Sequence, residues 1–178
     1  LEKGIPCGCC DDGPSGMRLD SGMKAFSLPN GTLLACTFNL PLVRSLFEFE
    51  GLELRSNHID ALLGPGINIH RNPLNGRNFE YHSEDPFLTG KLAQAQAEGM
   101  DHSGATGTLK HFCANNQEHA RHSANGVISE RALREIYLKP FELCIKGLES
   151  GSMAVMTSYN WLGSVPACAD SDLLQTVL

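Results

Sequence analysis

The chain has 178 residues, 42% hydrophobic and 19% charged, which supplies apolar material for a folded core and too little charge for a disordered tail. Lys and Arg number 14 against 20 Asp and Glu, a formal charge of −6, so no basic field attracts phosphate backbones or anionic lipid. Nucleic acid and membrane surfaces are therefore not expected as partners, and no apolar run approaches the roughly 20 residues that span a bilayer.

The chain opens at Leu1 without a charged-then-apolar leader, which reads as a start inside a longer protein. Seven cysteines are an odd number at low density, and Cys9 and Cys10 are adjacent, so a disulfide scaffold is not expected. The thiols are expected to be free and mostly buried, a usage that favours the cytoplasm.

In chain order, Ile5 to Cys10 reads as a first strand. Pro41 opens a helix whose apolar face is Leu42, Val43, Leu46, Phe47 and Phe49, weakened but not ended by Gly51. Asp60 to Leu63 is a second strand that stops at Gly64-Pro65-Gly66, and a long polar loop follows. Asp85 caps a helix with Pro86 in its first turn and Leu88, Leu92 and Ala95 on one side. Gly107 to Leu109 is a third strand. Ser129 caps a helix carrying Leu133, Ile136, Tyr137, Phe141, Cys144 and Leu148, kinked at Pro140 and ended by Gly151. Ala154 to Met156 is a fourth strand, and Ser171 begins a last helix with Leu173, Leu174 and Val177. Strands alternating with helical stretches predict an α/β fold with a parallel sheet, and no repeat or linker divides the chain, so residues 1–178 are read as one domain. A complete eight-stranded barrel typically takes about 250 residues, so about four strand-helix units fit, a partial (β/α)8 barrel of about half its circumference. Its open edges are expected to promote homo-association.

Polar clusters follow each apolar strand: Cys9-Cys10-Asp11-Asp12-Gly13-Pro14, then His70-Arg71 to Asp85, then Lys110-His111, then Thr157-Ser158-Tyr159-Asn160. In parallel α/β folds the carboxyl ends of the strands share a rim, so the four clusters are expected to converge on one pocket. It would hold a carboxylate from Asp12, cationic donors from Arg77 and Lys110, the His111 imidazole and the Tyr159 ring. Mixed donors and acceptors suit a polyhydroxylated ligand, and an aromatic ring packs against the apolar face of a pyranose. Plainer readings stand beside these: Asp12 as a turn former, Arg77 and Glu80 as a loop-stiffening ion pair, and Met156 and Tyr159 as core. Cys113, His119 and His122 do not have zinc-ligand spacing, and no metal or cofactor is expected.

The chain resembles family 3 of the glycoside hydrolases, the β-glucosidase group. The resemblance rests on DDGPSGMR at Asp11 to Arg18, LLGPGINIHRNPLNGRNFEYHSEDP at Leu62 to Pro86, LKHFCANNQEHAR at Leu109 to Arg121, SERALREIYLKPFE at Ser129 to Glu142, and VMTSYN at Val155 to Asn160. It implies a barrel-like domain in which Asp12, Arg77, Lys110, His111, Met156 and Tyr159 line the subsite for a terminal sugar, with a β-glucoside or oligosaccharide as substrate. The stretch Phe112 to Glu118 lacks the proline-glycine-histidine run of the N-acetylglucosaminidase branch, which favours glucosidase or xylosidase specificity.

The resemblance also implies a nucleophilic aspartate in a Ser-Asp-Trp-like motif, expected beyond Leu178, and an acid/base from another domain. No catalytic carboxylate is therefore assigned within these residues, and Asp170 and Asp172 are not the nucleophile. The parent enzyme is expected to hydrolyse terminal β-D-glycosidic bonds with retention and the 178-residue piece to be inactive alone. The alternative is a non-catalytic sugar-binding or partner-completed module.

Overall fold

The computed structural model describes residues 4, 7–19, 22–149 and 153–178. Its strands, in chain order, are β1 (Cys10–Asp12), β2 (Ala61–Leu63), β3 (Thr106–Phe112), β4 (Asn125–Gly126), β5 (Ala154–Thr157), β6 (Trp161–Leu162) and β7 (Val165–Pro166). The order β1-β2-β3-β5 makes one parallel sheet, with Cys10 opposite Ala61, Ala61 opposite Thr106 and Thr108 opposite Ala154. Among the described residues this sheet is an open arc, a partial barrel of the predicted α/β class. A second, small sheet joins β4, β6 and β7 beyond the carboxyl end of the arc.

The helices are α1 (Gly31–Cys36), α2 (Leu40–Ser56), α3 (Pro86–His102), α4 (Glu130–Ala132) and α5 (Lys139–Gly147). Asn39 caps α2 by accepting from Leu42 N at 3.1 Å, and Asp85 caps α3 by accepting from Phe87 N at 2.7 Å and Leu88 N at 2.9 Å. Helix α3 lies between two halves of the core. Leu92, Ala95 and Met100 pack with Val43, Phe47, Leu54 and Leu62, while Ala93 and Ala97 pack with Leu109, Phe112, Phe141 and Cys144. Such closeness needs small residues at the crossing: a Cβ on Gly99 would lie 2.3 Å from Arg44 O of α2. Gly51 answers the same demand, for its Cβ would meet Ser103 Oγ at 1.8 Å, so it marks a helix contact rather than a weak point.

Several expectations are corrected. The first strand covers Cys10–Asp12 because pairing starts where β2 is available; Cys7 to Cys9 are not strand, and Ile5 and Pro6 lie outside the described residues. Strand β3 runs through Lys110 and His111 instead of stopping at Leu109, since Lys110 pairs with Met156 and Phe112 with Thr157. The buried stripe of α2 is Val43, Phe47, Glu50, Gly51 and Leu54; Leu42 and Phe49 face outward, one position out of helical phase.

The single helix expected from Ser129 is α4, a π-helical turn over Leu133–Tyr137 and α5, because Pro140 has no N–H to continue an i to i−4 ladder. It ends at Gly147, and Gly151 lies outside the described residues. The last helical segment begins at Ser171 as expected and runs as a π-helical stretch over Asp172–Val177; Asp170 supplies its side-chain cap, its Oδ1 accepting from Asp172 N and Leu173 N, each at 3.1 Å. All seven cysteines are free as expected, but only Cys113 and Cys144 are buried; the other five are exposed, Cys7 and Cys9 ahead of β1, Cys10 at its first residue, Cys36 at the end of α1 and Cys168 in a short 3₁₀ turn.

Candidate active site

At the carboxyl end of β1 the chain folds back tightly. Gly16 N donates to Gly13 O at 3.1 Å and Arg18 N to Asp12 O at 2.9 Å. Gly13 has φ +148°, and a Cβ there would stand 2.1 Å from Gly16 O, so the turn that presents Asp12 admits only glycine. After β2, a 3₁₀ turn over Asn78–Glu80 carries Arg77 and Glu80 back toward the sheet. Lys110 extends from β3 into this space and is buried, with its Nζ 3.0 Å from Glu80 Oε2 and 3.7 Å from Asp12 Oδ1. Arg77 Nε pairs with the other Glu80 oxygen, so one buried carboxylate braces two cations. The loop-stiffening pair and the site are thus one structure.

Asp12, Arg77, Lys110, His111, Met156 and Tyr159, drawn from four separate stretches of sequence, line one open cleft of about 1020 Å³. Arg18, Phe79, Glu80, Glu118, Arg121 and Thr157 line it as well. Tyr159 is 53% exposed, and its ring carries the Arg121 guanidinium 4.8 Å from its centroid and the His122 ring at 4.5 Å. Arg121 in turn donates to Glu118 at 3.1 Å. Arg18, Glu118 and Arg121 sat within the quoted motifs, but nothing local marks them as cleft residues; only their position after a strand could have.

Behind the cleft lies a buried polar layer that sequence reasoning missed. Asn68 clamps the His111 backbone, accepting from His111 N at 3.0 Å and donating to His111 O at 2.9 Å. Tyr81 OH stands 3.0 Å from His111 Nδ1, and Asn115 Nδ2 donates to Tyr81 OH at 2.9 Å and to Glu118 Oε1 at 3.1 Å. Burial pushes the His111 imidazole down to about 2, with the Arg77, Lys110 and Arg121 cations adding to it, so the ring is neutral near pH 7. Burial likewise raises the Tyr81 phenol, which keeps its proton. The cleft therefore offers fixed cationic and neutral donors beside the Asp12 carboxylate, a set that can hold several hydroxyls in defined directions. Among the described residues no group of three His, Cys, Asp or Glu is arranged to hold a metal ion.

Known proteins are similar to this chain in sequence and in fold. A β-glucosidase of Ruminococcus albus is 60% identical over 177 residues, which cover 99% of this chain and 18% of that protein. The crystal structure of a β-glucosidase from Paenibacillus barengoltzii superposes with a TM-score of 0.95 at 56% identity, over 99% of this chain and 19% of that one. β-Glucosidase 3B of Thermotoga neapolitana, solved in complex with glucose, does so with a TM-score of 0.94 at 40% identity, over 99% of this chain and 26% of that one. The chain thus spans between a fifth and a quarter, roughly, of the relatives it matches. Residues 3–178 match the Glycosyl hydrolase family 3 N terminal domain, and the chain belongs to that family.

Proposed function

We propose that residues 1–178 form a partial barrel domain whose cleft receives the terminal glucose of a β-glucoside, as the sugar subsite of a retaining β-glucosidase. Asp12, Arg77, Lys110, His111, Met156 and Tyr159 are the sugar contacts. The observation that carries this reading is their convergence on one cleft although they lie up to 147 positions apart, from Asp12 to Tyr159. The names of the relatives, and glucose in the Thermotoga neapolitana structure, support it. In this assignment Asp12 accepts from sugar hydroxyls, Lys110 and His111 donate to them, Arg77 is held by Glu80, and Met156 and Tyr159 form the apolar wall.

The 178-residue chain by itself binds without turning substrate over. Retaining hydrolysis needs two carboxyl groups about 5 to 5.5 Å apart, one to attack and one to protonate the leaving oxygen. The carboxylates lining the cleft are Asp12, Glu80 and Glu118, and each faces a cation: Lys110, Arg77 with Lys110, and Arg121 respectively. The test is calorimetric titration of the chain with glucose, alongside an assay with an aryl β-glucoside. Glucose binding that Lys110→Met abolishes, without release of the aryl group, is expected. No binding would overturn the subsite, and activity that purifies with the chain would overturn the division of labour.

A further inference from the structure

The buried layer behind His111 dictates what that residue can offer the cleft. Glu118 is a carboxylate that already accepts from Arg121 at 3.1 Å, so the Asn115 group facing it at 3.1 Å must be the NH₂ and not the carbonyl oxygen. That same nitrogen lies 2.9 Å from Tyr81 OH and places its second N–H there. The phenol oxygen accepts from Asn115 and has one proton to give, and the remaining polar atom in reach is His111 Nδ1 at 3.0 Å. A ring nitrogen that accepts carries no proton.

We propose that Tyr81 and Asn115 are positioning residues that lock His111 in its Nε2–H tautomer, so that the ring presents a hydrogen-bond donor to the cleft and never an acceptor. The Asn68 clamp on both the N–H and the C=O of His111 prevents the ring from turning by a backbone shift, and the edge-on packing of Tyr81 at 75° holds its plane. Three cations around the ring, those of Arg77, Lys110 and Arg121, together with its burial, oppose the doubly protonated form that would erase the distinction. A donor at this point selects a ligand oxygen with a free lone pair, as a sugar hydroxyl has when its own proton is given to a carboxylate such as Asp12. This last consequence rests on the sugar-subsite reading; the tautomer lock does not.

The test is long-range ¹H–¹⁵N correlation of the histidine rings in the ¹⁵N-labelled chain at pH 7, with His111 assigned by His111→Gln. The wild-type spectrum is expected to show a protonated Nε2 and a bare Nδ1. Tyr81→Phe removes the hydroxyl, and Asn115→Asp replaces the donor on that hydroxyl by an acceptor that turns the Tyr81 proton away. Either variant is expected to give mixed tautomers and to weaken glucose binding roughly tenfold. A wild-type ring protonated on Nδ1 overturns the proposal without any variant being needed, as do folded variants with an unchanged tautomer. If the wild-type pattern is as expected and glucose moves no resonance, the lock stands and the sugar reading fails.

Discussion

Replacing Glu80 with Gln tests the frame of the cleft. Glu80 is buried with Lys110 Nζ at 3.0 Å and Arg77 on its other oxygen. At an effective dielectric of about 20, the Lys110 contact alone is a gross attraction of roughly 5 to 6 kcal/mol, much of which offsets the desolvation of both groups. The substitution keeps the shape but leaves Asp12, at 3.7 Å and 55% exposed, as the only carboxylate beside the buried ammonium, and its single amide oxygen cannot accept from both Lys110 and Arg77, so its NH₂ faces one of the two cations. Breaking one side of a buried pair costs about 3 to 5 kcal/mol, and the residual Asp12 contact puts the expectation at about 3 kcal/mol. Glu142 provides an internal control. It also sits between two lysines, 2.9 Å from both Lys139 and Lys146, but at 42% exposure, so Glu142→Gln is expected to cost under about 1 kcal/mol. Urea unfolding followed by circular dichroism measures both. Equal losses for the two variants, or less than about 1 kcal/mol for Glu80→Gln, would mean that water screens the Glu80 site and that burial does not set its worth.

Stability is expected to peak near pH 6.5. Below that pH the unfolded chain protonates His82 and His111, whose folded values burial lowers to about 4 and about 2, and this outweighs Glu50; above it the histidine gain is complete and the Glu50 loss remains, because burial and Glu53 raise that carboxyl from 4.5 to about 8, so the folded chain still holds a proton that the unfolded chain has already lost. Urea midpoints across pH 4.5 to 8 measure this, Glu50→Gln should flatten the alkaline limb, and a wild-type midpoint that climbs through that limb would contradict it. Gly13→Ala forces a side chain to within 2.1 Å of Gly16 O, so it should lower glucose affinity at least tenfold, read by calorimetry, while the far-ultraviolet spectrum is retained. Among the described residues β1 and β5 are the outer strands of an open arc, which should make the isolated chain self-associate in size-exclusion chromatography with light scattering, and a monodisperse monomer would refute that expectation.

The sequence revealed most where hydrophobic period and punctuation agreed. The caps at Asp85 and Ser129, the stop at Gly64-Pro65-Gly66 and the strands around Leu62, Leu109 and Val155 were legible because each rests on local chemistry. Helix phase was not: Phe49 is the more apolar residue, yet the positions set by Val43 and Phe47 bring Glu50 inward. The two-residue strands β4, β6 and β7 are too short to show a period. The layer of Asn68, Tyr81 and Asn115 was illegible for a deeper reason. Its members are scattered along the chain, and apart from the Asn115–Glu118 bond they are joined by hydrogen bonds between residues 30 or more positions apart.

The charges of the cleft decide between kinds of ligand more firmly than its shape does. Its lining holds four cations, Arg18, Arg77, Lys110 and Arg121, against three carboxylates, Asp12, Glu80 and Glu118, in a chain whose formal charge is −6. A phosphate site would leave its cations unpaired and convergent. Here Arg77 and Lys110 share Glu80 and Arg121 is bound to Glu118, so their charges are largely neutralised before any ligand arrives. What survives the pairing is direction. Arg77, Lys110, Arg121 and His111 are each pinned by a carboxylate or a phenol, so little ordering of these donors is left to do on binding. Such a surface gains little from a net negative ligand and much from a neutral one whose hydroxyls match its donors and acceptors one by one. On the proposed sugar-subsite reading, the ion pairs act less as sources of field than as the framework that makes a small uncharged polyol distinguishable from water.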